Sequence, residues 1–186
     1  MPSGNRSRDS LLEKYFLQSS QCFANVQAGS EEMDMKIAIT FDDGPNIEYT
    51  EKLLEGLEER NVSATFFLIG KNAEENEALV RKIYEEGHMI GNHTYSHLRL
   101  EADNYETYKD ELLRTNEIIQ RITGETPMFC RPPFGAWDSE IEGDIGMIPV
   151  LWTVDPRDWD TQNAEEIVQK KENKLDFMIA QNGRNL

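Results

Sequence analysis

The stretch MKIAITFDDGPN, residues 35–46, decides how the rest of the chain is read. Its first seven residues are apolar or β-branched apart from Lys36, the make-up of a strand that packs into a sheet. They run without a linker into two acids, a glycine and a proline, which is turn chemistry. A strand that ends in adjacent acids presents them at one end of a sheet, and neighbouring residues of extended backbone point in different directions. Of Asp42 and Asp43, one carboxylate can therefore hold a cation while the other stays free.

Outward from that strand, helix and strand patterns alternate. YTEKLLEGLEER (49–60) reads as an amphipathic helix, VSATFFLIG (62–70) as a buried strand, EENEALVRKIYEEG (74–87) as a second helix and HMIGNH (88–93) as a short strand. In ETYKDELLRTNEIIQRITG (106–124), Leu112, Leu113, Ile118, Ile119 and Ile122 form a helical stripe that Gly124 ends. MFCRPPFG (128–135) and IPVLWTVD (148–155) are further strands, the first halted by Pro132 and Pro133. NAEEIVQKKENK (163–174) predicts a last helix capped by Asn163, before a weaker strand candidate, LDFMIA (175–180). Strands alternating with helices at intervals of roughly 25–30 residues imply a parallel α/β sheet with helical crossovers. Five strands and a weak sixth are too few for a complete eight-fold barrel of ~250 residues, so the expectation is an open sheet or an incomplete, distorted (β/α) barrel. Residues 1–34 are polar and aperiodic apart from LLEKYFL, and predict a weakly structured leader ahead of one domain spanning 35–186.

Composition excludes some functions. A net charge of −16 over 186 residues opposes binding to nucleic-acid phosphates or anionic membranes. No apolar run approaches the ~20 residues of a membrane span. Glu13, Lys14 and Gln18 interrupt the one apolar stretch that follows Arg6 and Arg8, so no signal peptide is evident. Cys22 and Cys130 are too far apart for a CxxC site; two free thiols are expected, a single disulfide being the alternative.

Two of the three histidines stand in GNHTYSH, residues 91–97. On one helical turn the i, i+4 spacing of His93 and His97 would let both rings grip one cation, although an HxxxH pair also arises from unrelated surface or core histidines. Zinc proteases carry a glutamate inside that spacing, but here position 94 is threonine. A third ligand and a base would have to come from elsewhere. In parallel α/β folds such groups gather at the carboxyl ends of the strands, and DDGPN, NHTYSH, RPPFG and DPRDW all fall there.

Together TFDDGPN, GNHTYSH, RPPFGAWD and LWTVDPRDWD resemble, in order and spacing, the polysaccharide deacetylases, the NodB-like domain of carbohydrate esterase family 4. The resemblance runs from about Lys36 to Asp160 and more weakly to residue 182. It implies a distorted (β/α) barrel with fewer than eight regular repeats. It also implies that Asp43, His93 and His97 bind a divalent metal, usually Zn2+, with Co2+, Ni2+ or Mn2+ as alternatives. Such a cation lowers the pKa of a water it holds from ~15.7 toward 7 and polarises an amide carbonyl. By resemblance Asp42 is the general base, with Arg131 holding it ionised and aimed. The backbone N–H of Phe134 helps to stabilise the oxyanion. Asp158 supports the catalytic histidine, and Trp159 helps to wall the acetyl pocket, core packing being its alternative. Asn92 and Asp155 are candidate supporting groups, and His88 is expected to pack at the start of its strand.

Family members carry a Leu-x-His run in a further strand, whose histidine protonates the leaving amine. The corresponding run here is DFMIAQN, with Ile179 for the leucine and Gln181 for the histidine. Glutamine donates a hydrogen bond but transfers no proton at neutral pH. The expectation is a domain incomplete or altered at its C-terminus, with impaired activity. The resemblance implies hydrolysis of N-acetyl groups on N-acetylglucosamine polymers, peptidoglycan ahead of chitooligosaccharide, at the cell envelope or outside the cell, a cytoplasmic location being the alternative. A catalytically silent glycan- or metal-binding domain is the second reading. An iron(II) oxygenase shares the ligand types but leaves Asp42 beside Arg131 unexplained. Oligomeric state is not readable from the residues.

Overall fold

MKIAITF does not form one strand. In the computed structural model, which describes residues 23–25, 36–155, 157–160 and 163, the run divides at Ile39. Its first part, β2 (Lys36–Ala38), pairs antiparallel with β1 (Phe23–Asn25), a strand lying within the predicted leader. Its second part, β3 (Thr40–Gly44), begins the main sheet. The strand-like composition continues across both parts, so composition cannot reveal where the pairing partner changes.

The main sheet holds five parallel strands in chain order: β3, β4 (Thr65–Leu68), β5 (Met89–Asn92), β6 (Phe129–Cys130) and β7 (Ile148–Pro149). Parallel neighbours need a crossover, and each gap supplies a helix. α1 (Thr50–Glu59) follows β3, and α2 (Gly70–Glu75) and α3 (Glu77–Glu85) follow β4. α4 (Tyr105–Thr123) follows β5, and α5 (Ser139–Ile145) follows β6. A doubly wound sheet reverses its strand order at a switch point; this one winds in one sense throughout, as a barrel does. Among the described residues it is an incomplete (β/α) barrel.

The interior strand β4 is buried along its whole length, TFFL. Leu54, Leu57, Leu79, Val80, Ile83, Ile118 and Ile122 join Phe66 and Leu68 in one core, and Tyr108, Leu112, Cys130, Ile141 and Met147 form a second. The stripe on α4 differs from expectation: Leu113 is 41% exposed, and Thr115 and Asn116 take the inward positions instead. Gly124 ends that helix at φ +84, where any other residue would be strained. The predicted helix 74–87 is broken at Asn76 (φ −133°, ψ 49°), so α2 begins earlier, at Gly70. Sequence reading missed α5, whose signals are the Ile141 and Ile145 spacing and Asp138, which accepts the Glu140 N–H at 2.9 Å. β7 keeps only two residues of IPVLWTVD, and Leu151 and Trp152 are exposed. The chain divides into two compact units at that point, Met1–Val150 and Leu151–Leu186. The predicted helix 163–174 beyond Asn163, the LDFMIA strand, Gln181 and Cys22 lie outside the described residues.

Gly91 on β5 is required by close approach. A Cβ there would come within 2.4 Å of the Phe67 ring and 3.2 Å of the Phe129 carbonyl oxygen. Gly91→Ala is therefore expected to destabilise the fold by about 1–3 kcal/mol through overpacking. Urea unfolding would show this as a lowered midpoint with an unchanged slope; an unchanged midpoint would mean that the ring moves aside freely.

Candidate metal centre

The pairing of β3 with β4 contains one extra residue. Phe41 faces Phe66 and Gly44 faces Leu68, so three steps on β3 match two on β4. This bulge falls on Asp42 and Asp43, within the strand rather than after it, and Asp43 adopts φ +66. The consequence is that the two adjacent carboxylates turn to different partners. Asp42 Oδ1 lies 2.7 Å from Arg131 Nη1, whereas Asp43 Oδ1 lies 3.3 Å from His93 Nε2 and 3.4 Å from His97 Nε2. Asn72 Nδ2 donates to the Asp43 carbonyl oxygen at 2.9 Å, holding the bulge from α2.

His93 and His97 do not share a helical turn. Residues 93–98 form an irregular loop with Thr94 at φ +62 and His97 at φ +63, and the ring centroids lie 5.0 Å apart. The Thr94 hydroxyl accepts the Leu98 N–H at 3.0 Å, and the Asn92 side chain accepts the Thr94 N–H at 2.8 Å. Asn92 is wholly buried, and its amide donates at 2.8 Å to both Leu112 O and Asn116 Oδ1, tying the loop to α4.

His93 Nδ1 lies 2.5 Å from the Arg131 carbonyl oxygen. A carbonyl only accepts, so the proton resides on Nδ1 and the Nε2 lone pair faces Asp43 and His97. Burial holds the His97 pKa below its usual value despite the opposing pull of Asp43, which keeps that imidazole neutral and able to ligate. The adjacent His93 ring is the largest of the influences that hold the Asp43 carboxyl below the ordinary carboxylate range. One donor atom from each of Asp43, His93 and His97 lies within 4.8 Å of the other two. Two neutral nitrogens and one carboxylate oxygen at this spacing suit a divalent transition cation such as zinc and leave it a net positive charge.

Arg131 is not a surface group: it is 2% exposed. Its Nη1 donates to Asp42 and, at 2.7 Å, to Thr40 Oγ1, while Nε donates to Val150 O at 3.0 Å. The guanidinium also lies 4.2 Å over the Phe67 ring. This set compensates a charge that would otherwise be costly to bury.

Phe134 sits in a 3-10 turn, Pro133–Gly135, at φ +60. Its ring is 62% exposed and meets the His97 ring edge-on at 4.9 Å, with the Arg99 guanidinium 5.6 Å from its centroid. Four of the six non-glycine residues with positive φ among those described, Asp43, Thr94, His97 and Phe134, thus belong to this site. Each such backbone costs about 1–3 kcal/mol, a cost that persists where surrounding contacts over-determine the conformation.

His88 occupies the opposite end of β5 from His93, where its Nδ1 accepts the Ala64 N–H at 3.2 Å; burial lowers its pKa. Asp155, Asp158 and Trp159 belong to the second unit. There Asp155 Oδ1 accepts the Arg157 N–H at 2.8 Å, and Asp158–Asp160 is a 3-10 turn. Trp159 is 72% exposed, with the Arg157 guanidinium 5.0 Å from its ring centroid. Sequence reading missed Thr40, Phe67, Asn72 and Arg99, none of which stands in a recognisable spacing. Cys130 is fully buried.

Comparison with known proteins adds four matches. The family profile described as polysaccharide deacetylase matches residues 30–146. A peptidoglycan-N-acetylglucosamine deacetylase of Bacillus cereus is 44% identical over 139 residues, 71% of this chain and 49% of the relative. Among solved structures, the peptidoglycan deacetylase PdaC from Bacillus subtilis superposes with a TM-score of 0.71 at 34% identity, covering 73% of this chain and 67% of that one. A CE4 family pseudoenzyme from Bacillus anthracis superposes at 0.69 with 29% identity, over 74% of this chain and 50% of that one. The chain spans about half or less of the length of the first curated relatives it matches.

Proposed function

The chain belongs to the polysaccharide deacetylase family, and from that premise we propose that it is a metal-dependent hydrolase removing N-acetyl groups from N-acetylglucosamine-containing polysaccharide. Peptidoglycan is the favoured substrate, ahead of chitooligosaccharide, and the work belongs at the cell envelope. The observation that carries the reading is the bulge that turns Asp43 toward two histidines and Asp42 toward a buried arginine. A module that only held a cation would have no use for the second carboxylate.

Asp43, His93 and His97 would hold the cation, and Zn2+ suits them best. When bound, it supplies Lewis acidity to a carbonyl and to a water. Asp42 Oδ1 accepts from Arg131 Nη1, which Thr40 Oγ1 also holds in place, so the carboxylate is aimed to take a proton from the attacking water. The Phe134 backbone N–H contributes to stabilising the developing oxyanion, and its ring shields one side of His97.

A second reading, a catalytically silent glycan- or metal-binding domain, is favoured by one observation. Of the three histidines, two stand in the cation site and His88 lies at the far end of β5, so no imidazole of this sequence is free to protonate the leaving amine. Acetate release from chitooligosaccharide and peptidoglycan, with and without Zn2+, separates the readings. Slow release that a chelator abolishes and that Gln181→His raises by about 10²–10⁴-fold supports the hydrolase. Stoichiometric zinc uptake with no acetate from either glycan supports the silent domain.

A further inference from the structure

The two imidazoles of the 93–97 loop are anchored by different means. His93 is buried, with Nδ1 set on a carbonyl oxygen of the neighbouring strand. His97 is more exposed and stands at φ +63, a backbone that relaxes to negative φ unless something holds it. The residue just before it, Ser96, gives both its donors to one carboxylate. The Ser96 N–H reaches Glu111 Oε2 at 3.0 Å, and the Ser96 hydroxyl reaches Glu111 Oε1 at 2.5 Å.

Glu111 sits in the second turn of α4, between Tyr108 and Leu112, both fully buried. The same helix is tied to β5 through Leu112 O and the Asn92 amide. The carboxylate is therefore a fixed point on a rigid element, and the paired hydrogen bonds it accepts are of the charge-assisted kind. The residue before Ser96 is held as well: Arg114 stacks 3.5 Å over the Tyr95 ring, and the Tyr95 hydroxyl donates to Glu74 at 2.9 Å. These contacts grip Tyr95, but the Ser96 peptide, whose rotation would swing His97, is gripped by Glu111.

We propose that Glu111 is the positioning residue for His97, holding the Ser96–His97 backbone so that the imidazole faces Asp43 before any cation arrives. The proposal rests on the reading of Asp43, His93 and His97 as a cation site, and predicts which remote group sets the affinity of that site.

The test uses the full chain, with Zn2+ affinity measured by chelator competition and Co2+ absorption bands reporting the ligand set. Glu111→Ala is expected to weaken Zn2+ binding by about 10–100-fold, as loss of a group that orients a ligand does, and to shift the Co2+ spectrum toward that of His97→Ala. Glu111→Gln retains one acceptor and should recover part of the loss. A double variant, Glu111→Ala with His97→Ala, should bind no more weakly than His97→Ala alone, because Glu111 acts through that ring. The apo melting temperature should move little. Parental affinity in Glu111→Ala, or losses that add in the double variant, would overturn the proposal while leaving the cation site standing. A parent chain that takes up no Zn2+ would overturn both. Should Glu111→Ala fail to fold, Ser96→Ala removes the hydroxyl donor alone and must still weaken Zn2+ binding; parental affinity there overturns the proposal.

Discussion

His93→Ala is expected to cost the protein its cation and, with it, all acetate release. Removing an orienting group typically weakens a metal site by about 10–100-fold, and removing a ligand outright should exceed that. His93 is the most demanding of the three to replace, because its buried ring also occupies the Arg131 carbonyl. Equilibrium dialysis against Zn2+ would show loss of the stoichiometric site in His93→Ala, and likewise in Asp43→Ala and His97→Ala. Full affinity in all three would refute the assignment. In the parent, protons compete for the same nitrogens. Burial holds His97 below its usual pKa of 6.5, so its lone pair is available at neutral pH and is lost as the pH falls through that lowered value. Zinc retention should therefore be flat near pH 7 and decline on the acid side of 6.5.

Asp42→Asn is expected to leave zinc stoichiometry intact while lowering turnover by about 10²–10⁴-fold, the contribution of a positioned general base. Asparagine keeps an oxygen to accept the Arg131 Nη1 hydrogen bond but cannot take a proton. Arg131 then retains Thr40 and the Val150 carbonyl while losing its counter-charge. Because Asp42 is partly open to solvent, that loss should cost about 1–3 kcal/mol rather than the larger sum expected in a closed interior. Unchanged turnover with zinc bound would remove Asp42 as the base. A melting temperature that collapses along with activity would assign the pair a structural role instead.

The composition of the chain announced which residues gather, but not how. DDGPN, NHTYSH and RPPFG each follow or end a strand candidate, and parallel winding brings such ends together, while the roles of Asp43, His93, His97, Asp42 and Arg131 were implied by the family resemblance those motifs carry. The i, i+4 spacing of the histidines suggested a helical turn. The chain instead closes that distance through two positive-φ residues, which no periodicity announces. The bulge was equally hidden, because an extra residue in β3 is visible only against its partner strand. Leu113 failed for another reason: α4 spends its inward positions on Thr115 and Asn116, which hydrogen-bond to Glu111 O and to Asn92 rather than supplying apolar area. Thr40, Asn72 and Glu111 reach the site across long sequence separations, and only tertiary folding makes them neighbours.

The surplus residue in β3 also bears on how this protein would respond to engineering. Deleting Asp43 would let the first two strands of the sheet zip in uninterrupted register, and Asp43→Gly would relieve a left-handed backbone. Libraries sorted by heat tolerance or yield alone would therefore enrich such changes and return sturdy proteins with no grip on an ion. Any campaign to harden this scaffold has to screen for zinc uptake at every round.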